Sequence, residues 1–215
     1  MIGTQPMRIL IIDDHEVVRR GVQHILEESF PHVEVGEAET AQKGIAAVRQ
    51  EPWDLAIVDI SLPDQSGLEL LCELHSTAPQ LPLMVLSLHP EEQYAVRAFR
   101  AGAKAYLTKH TAPEELTRAV KQVLSGRMYV TVSIGECMAG SLSKSPTGYE
   151  HHPLSEREFE VLVLLAQGKS VKHIAQSLTL SIKTVSTYRA RLLDKLQLTT
   201  TAELIRYALD RHLVE

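Results

Sequence analysis

Leu55 to Asp64 reads LAIVDISLPD. Its first four residues are apolar and turn-forming chemistry follows, which matches the length and bounds of a buried strand. The run ends on Asp59, and a carboxylate beside a core is costly unless something compensates it. Four other runs share the strand character: Ile9–Ile12 (ILII), Val33–Glu37, Leu83–Leu86 (LMVL) and Lys104–Leu107. Amphipathic helical patterns follow them over 15–28, 40–50, 67–77, 91–101 and 113–125. Thr40 is placed to cap the second helix, Pro113 with Glu114 and Glu115 suits a first turn, and Gly102 stops the fourth. Regular strand–helix alternation predicts an α/β unit, a parallel sheet covered on both faces with right-handed crossovers.

Polar residues stand at the ends of these strands. Asp13 and Asp14 follow the first, Asp59 the third, Ser87 the fourth, and Lys109 comes just after the fifth. In a parallel sheet these ends share one edge, where open α/β sheets bind ligands at a topological switch point. A 2-1-3-4-5 strand order makes the first and third strands neighbours, so Asp13, Asp14 and Asp59 converge. Such carboxylates repel one another unless a divalent cation neutralises them, and hard oxygen ligands suit Mg²⁺. Mg²⁺, a lysine and a hydroxyl together accommodate phosphoryl oxygens. Asp59 is then the nucleophile, because a carboxylate can form an aspartyl-phosphate. Each residue alone has an ordinary reading as a turn acid or a solvated lysine. The joint pattern is what carries the chemistry.

The motifs IIDDHEVVRRG, IVDISLPDQSG, VLSLH and AGAKAYLTK resemble the receiver domain of bacterial response regulators over residues 7–125. The resemblance implies a flavodoxin-like (βα)5 domain over 7–126 with Asp59 as phosphoacceptor. It implies that Asp14 binds Mg²⁺ directly, that Asp13 acts partly through water, and that Ser61 offers its backbone carbonyl to the metal. Ser87 and Lys109 would hold phosphoryl oxygens, and Tyr106 sits at the aromatic switch position. Ser61 and His89 would flank the attacking water during dephosphorylation. In the same loop Pro63 stiffens the backbone and Gly67 frees it, while Asp64 reads as a turn residue.

The net charge of −5 hides an asymmetry: residues 1–150 sum to −7 and residues 151–215 to +2. Residues 169–195 hold Lys169, Lys172, Lys183, Arg189, Arg191 and Lys195 against the single acid Asp194. An acidic front and a locally basic back point to different partners. Between them, 127–152 reads as a linker; SLSKSPTGYEHH lacks apolar periodicity, and Val130–Met138 is a candidate short helix. His151 and His152 are taken as linker and not as a metal site. Cys72 and Cys137 have no metal or redox spacing and are expected as reduced thiols. No apolar run approaches the roughly 18 residues of a membrane span, and MIGTQPMRILIIDD lacks the features of a signal peptide. The expected location is cytoplasmic, with no membrane partner.

The back part opens with Ser155 and Glu158, a capping box, ahead of Phe159, Leu162, Val163 and Ala166 at helical spacing. Gly168 ends that helix, Ser170 caps a short second one, and Ser181 caps IKTVSTYRARLLDKL; a last helix spans about Thr201 to His212. A short helix, a tight turn and a longer basic helix describe helix-turn-helix. Val185, Tyr188, Leu192 and Leu196 form the expected buried stripe, and Lys183, Ser186, Thr187, Ala190 and Asp194 the outer face. The segment LSEREFEVLVLLAQGKSVKHIAQSL…SIKTVSTYRARLLDKLQL resembles the LuxR-type DNA-binding domain, implying an all-α four-helix domain over 153–215. Ser186, Thr187 and Ala190 would then face bases, with Lys183, Thr184, Arg189 and Arg191 on the backbone or flanking bases of double-stranded DNA. Val171 and Tyr188 depart from the family, which usually has Asn and His there, and both are assigned to scaffold packing.

The combined expectation is a transcriptional response regulator of the NarL/FixJ type. A sensor histidine kinase or phosphotransfer protein would phosphorylate Asp59 with Mg²⁺ and favour a DNA-binding homodimer. Leu204, Ile205, Ala208 and Leu209 of the last helix are the candidate interface. Enzymatic activity would not exceed self-phosphorylation and autodephosphorylation. Two rivals are a Mg²⁺-dependent phosphohydrolase, disfavoured because Ser61 stands where its common version has a second acid, and a DNA-binding protein with a relic receiver.

Overall fold

The computed structural model describes residues 6–136, 154–178, 180–211 and 213–214, in two compact units within Met1–Leu142 and Ser143–Glu215. Cys137 and the His151–His152 pair lie outside the described residues; Cys72 is exposed. None of the described helices is long and apolar enough to cross a membrane.

In the first unit β1 (Met7–Ile12), α1 (Glu16–Ser29), β2 (Val33–Ala38), α2 (Ala41–Gln50), β3 (Leu55–Val58), α3 (Gly67–Thr77), β4 (Leu83–Ser87), α4 (Glu91–Arg100), β5 (Ala105–Thr108) and α5 (Pro113–Leu124) alternate along the chain. The strands form one parallel sheet in the order β2-β1-β3-β4-β5. β3 and β4 are buried throughout, as continuous apolar runs in a doubly covered sheet should be. On one face Ile9, Ile11, Ile57, Met84 and Leu107 pack with Val22 and Leu26 of α1 and Leu116, Val120 and Val123 of α5. Residues of the opposite parity, among them Leu10, Ile12, Val58, Val85 and Tyr106, are buried on the other face.

The register places the strand ends. Ile12 pairs with Val58, and the Asp59 N–H donates to the Ile12 carbonyl at 2.8 Å, so Asp13 and Asp59 leave the sheet side by side. The following loop closes on itself through a Ser61–Ser66 bridge and a Gly67 N–H bond of 2.8 Å to the Ile60 carbonyl. A Cβ on Gly67 would overlap the Asp59 carbonyl oxygen. Close approach therefore requires this glycine, not the backbone freedom expected from sequence. Asp64 is also more than a turn residue. Its carboxylate accepts the Ala41 and Gln42 N–H groups at 2.9 and 3.0 Å, capping α2 from a different loop.

The linker expected from Arg127 starts later. Tyr129 bridges Ala105 in parallel, and its N–H donates to the Lys104 carbonyl at 2.8 Å. Residues 132–136 form a helical turn in which Ile134 is fully buried. This meets the short helix predicted over Val130–Met138 as far as residue 136, and Tyr129, Thr131 and Ser133 find partners in Glu115, Glu91 and Glu92.

The second unit has α6 (Glu156–Ala166), α7 (Val171–Ser177), α8 (Ile182–Lys195) and α9 (Thr201–Asp210). The predicted caps form: Ser155 with Glu158 as a capping box, Ser170 on His173 and Ser181 on Thr184, and Thr200 with Glu203 adds a second box. Glu158 also meets Lys195 Nζ at 2.7 Å, joining the start of α6 to the end of α8. Burial pushes the Glu158 carboxyl up, but its bonds to Lys195 and Ser155 outweigh this and hold it low. Phe159, Leu162, Ile174, Val185, Leu192, Leu204 and Ala208 are buried. Tyr188 and Leu196, expected inside with Val185 and Leu192, are only half-buried, and so is Ser186, expected outside.

Gly67→Ala should lower the unfolding free energy by about 1–3 kcal/mol, as overpacking against fixed backbone does. Urea denaturation of the full chain followed by circular dichroism checks this; an unchanged midpoint would mean that the loop shifts freely.

Candidate functional site

The acids expected to converge do so. Asp13 and Asp59 are each 2% exposed, while Asp14 stands on the open rim. Lys109 is held by its own N–H, which donates to the Ser87 carbonyl at 2.8 Å. Its Nζ lies 2.7 Å from both Asp13 Oδ2 and Asp59 Oδ2. Burial raises the Asp59 carboxyl above the usual range; Lys109 opposes this and Asp13 adds to it. Burial works against the Lys109 charge too, but the two carboxylates outweigh it and hold the ammonium more firmly protonated.

Asp59 Oδ1 is buried and has no hydrogen-bond partner. Asp13, Asp14, His15 and Asp59 each offer a ligand atom, all within 4.8 Å of one another. A buried carboxylate oxygen left without a partner, among further carboxylates, fits a hard divalent cation such as Mg²⁺. His15 was not singled out from sequence. Its Nδ1 lies 2.7 Å from Asp14 Oδ1, and its N–H donates to Asp13 Oδ1 at 2.8 Å. Its position directly after Asp13 and Asp14 in the chain is the signal that could have found it.

A second cluster adjoins the first. Ser87 is fully buried at the end of β4, and its Oγ accepts the His89 N–H at 3.3 Å. His89 Nε2 lies 2.9 Å from Ser61 Oγ, and its ring stacks on Tyr94 with centroids 4.4 Å apart. Tyr106 is fully buried and donates its hydroxyl to the His89 carbonyl at 2.9 Å. Burial drives that hydroxyl far above its ordinary pKa, so it remains a neutral donor. The Ser61 backbone N–H faces the Asp59 carboxylate.

In the second unit α8 carries the basic face. Lys183, Thr187, Ala190 and Arg191 are exposed, and Thr184, Ser186 and Arg189 half-buried. Ser181 Oγ and Thr184 Oγ1 lie 2.7 Å apart, and Thr187 Oγ1 donates to the Lys183 carbonyl, so both threonine hydroxyls are already engaged at the helix start. Tyr188, assigned from sequence to packing, instead lines a surface depression with Lys183, Thr184, Thr187 and Arg191.

Residues 9–121 match the response regulator receiver domain, and residues 152–208 match the luxR family of bacterial regulatory proteins. The chain belongs to the LuxR-type response regulators. This response regulator is 33% identical to the response regulator UvrY of Escherichia coli K12, over 96% of this chain and 94% of UvrY. It is 39% identical to the transcription regulator BvgA of Bordetella pertussis, over 94% of this chain and 96% of that one. RcsB of Salmonella enterica serovar Typhimurium, solved on promoter rprA with the phosphomimetic BeF3⁻, superposes with a TM-score of 0.58 at 27% identity, covering 94% and 97% of the two chains.

In metal-free buffer, Asp59→Asn should raise the melting temperature of the response regulator. The folded carboxyl titrates above the unfolded one, so the native state binds the proton more tightly. Its penalty is present at neutral pH and fades as pH falls towards the ordinary carboxylate range. Calorimetry from pH 7 downward checks this: the gain should shrink with acid, and a destabilised variant at pH 7 contradicts it.

Proposed function

We propose that this response regulator, a DNA-binding transcription regulator, is switched by phosphorylation of Asp59. The carrying observation is Lys109 shared between Asp13 and Asp59 beside the partnerless Asp59 Oδ1. Asp13, Asp14 and Asp59, with the Ser61 carbonyl, would hold Mg²⁺, whose charge offsets that of an incoming phosphoryl group. An Asp59 oxygen attacks phosphorus on a histidine kinase or phosphotransfer partner; the O–P bond forms as the bond from phosphorus to the donor nitrogen breaks. Lys109 and Ser87 then turn to the new phosphoryl oxygens.

Decay runs the other way with water as acceptor. Water oxygen attacks phosphorus, the Asp59–phosphorus bond breaks, and inorganic phosphate leaves with regeneration of the carboxylate. His89, bonded to Ser61 and stacked on Tyr94, is held where it orients that water. Beyond taking up and losing this phosphoryl group, the chain carries no turnover chemistry. In the second unit Lys183, Arg189 and Arg191 supply phosphate contacts, while Thr184, Ser186, Thr187 and Ala190 present the small surface that a major groove admits. Phosphorylation favours a homodimer with two half-sites as the target; Leu204 and Ala208 are taken up by the unit's own core, so Ile205 and Leu209 on the outer side of α9 are the candidate interface.

Wild type incubated with acetyl phosphate and Mg²⁺ should gain one phosphoryl group by mass and bind its DNA about tenfold more tightly, within the usual range of coupling energies. Asp59→Asn should do neither; a labelled variant would sink the assignment. His89→Ala should keep the labelling but slow phosphoryl loss at least about tenfold, as expected when a positioned water is released. Decay of the radiolabelled protein reads this, and an unchanged rate contradicts it.

A further inference from the structure

The β5 edge of the receiver is occupied by the chain's own continuation. We propose that residues 127–136 are a latch, docked on β5 and on the first turn of α4, which phosphorylation of Asp59 releases. The release step rests on the Asp59 reading above; the docked geometry does not.

The latch has three attachments. Gln122 Nε2 donates to the Met128 carbonyl at 2.6 Å, holding the chain as it leaves α5. Tyr129 continues the sheet: its N–H meets the Lys104 carbonyl, it bridges Ala105, and its hydroxyl donates to Glu115 Oε1 at 3.0 Å. Thr131 Oγ1 then donates to Glu91 Oε2 at 2.7 Å, and Ser133 Oγ to Glu92 Oε1 at 3.1 Å. The Thr131 oxygen also accepts the Ile134 N–H at 3.3 Å, so one side chain both starts the helical turn and ties it to α4. A tether needs none of these bonds, nor a fully buried Ile134.

The position of the third attachment gives the latch its signal. Glu91 and Glu92 open α4 just past His89, whose N–H bonds Ser87 Oγ and whose carbonyl accepts Tyr106. Ser87, His89, the first turn of α4, and Thr131 with Ser133 therefore form one contiguous bonded path. Here Lys109 is engaged by unmodified carboxylates. A phosphoryl group on Asp59 draws the Ser87 hydroxyl away from the His89 N–H, and residues 88–92 move with it. Hydrogen bonds weaken steeply once stretched or bent, so a small displacement of Glu91 and Glu92 is enough to open the latch. Release frees ten residues, 127–136. At about 3.3–3.6 Å per extended residue, the connection to the DNA-binding domain gains up to about 35 Å of reach.

Hydrogen exchange of the full chain, with and without Mg²⁺ and beryllofluoride, tests this. Wild-type amides of Tyr129, Ile134 and Gly135 should exchange at least about tenfold faster with beryllofluoride, the mark of local opening. The double variant Thr131→Val/Ser133→Ala should exchange fast under both conditions. It should still show the bound beryllofluoride resonance by fluorine NMR, while its DNA affinity responds to beryllofluoride less than half as much as the wild type's. If exchange at 87–92 responds but exchange at 127–136 is unchanged or slower, the latch is overturned and the Asp59 reading stands. If the fluorine resonance is absent from wild type, both fall. A double variant with the full wild-type DNA response also overturns the latch.

Discussion

A single ammonium group between two buried carboxylates governs the geometry of the receiver. Lys109 reaches Asp13 and Asp59 equally, at 2.7 Å, from a strand that neighbours neither of theirs. Removing Lys109 would leave two uncompensated buried carboxylates, whereas replacing a whole buried ionic group by apolar residues of similar size often packs as well or better. The triad is thus poor evidence of selection for stability alone. It fits a site kept in readiness, with one Asp59 oxygen still unsatisfied. Several otherwise separate features serve it. The β1–β3 register sets the acids side by side, Gly67 lets α3 start against the Asp59 backbone, and the β5 turn aims the lysine.

The site communicates through an adjoining layer of neutral contacts. Ser87, His89 and Tyr106 are connected by hydrogen bonds that do not depend on the charge of Asp59, so they can be rearranged without ionising anything. A modification at Asp59 shifts the balance between two arrangements only by the difference in how well each holds the phosphoryl group. The DNA-binding unit has its own core and caps, with Glu158 tying α6 to α8 through Lys195. Its α8 is held by contacts within this unit. Regulation can then act on where this unit is held and with what it pairs.

The succession of strands and helices and the central acids were legible because they depend on short-range rules: apolar runs of strand length, helical spacing between them, and a charge at each strand end. The missed features involve partners distant in sequence. Asp64 caps a helix that begins 23 residues earlier, and no local pattern announces this. His15 is the exception: it directly follows Asp14 in the chain, so a local reading could have found it. Residues 129–133 carry turn-like hydroxyls whose partners, Glu91, Glu92 and Glu115, lie on two helices. Tyr188 satisfied the apolar period of α8, yet its phenol lines the outer depression beside Arg191, because an amphipathic ring satisfies both sides of a helix at once.

An open sheet has two rims, and each is a template on which a foreign strand can add. In this receiver the rims are guarded differently. Along β2, Glu34 and Glu37 place charges that a passing strand must desolvate, and both are bound by arginines of the molecule itself. On the β5 side the guard is Tyr129, a covalently attached stand-in for the intruder. Any state that moves Tyr129 away uncovers the backbone donors and acceptors it had satisfied. The same displacement that frees the chain would thus make the receiver transiently adhesive, exposing it to aggregation for as long as the signal lasts.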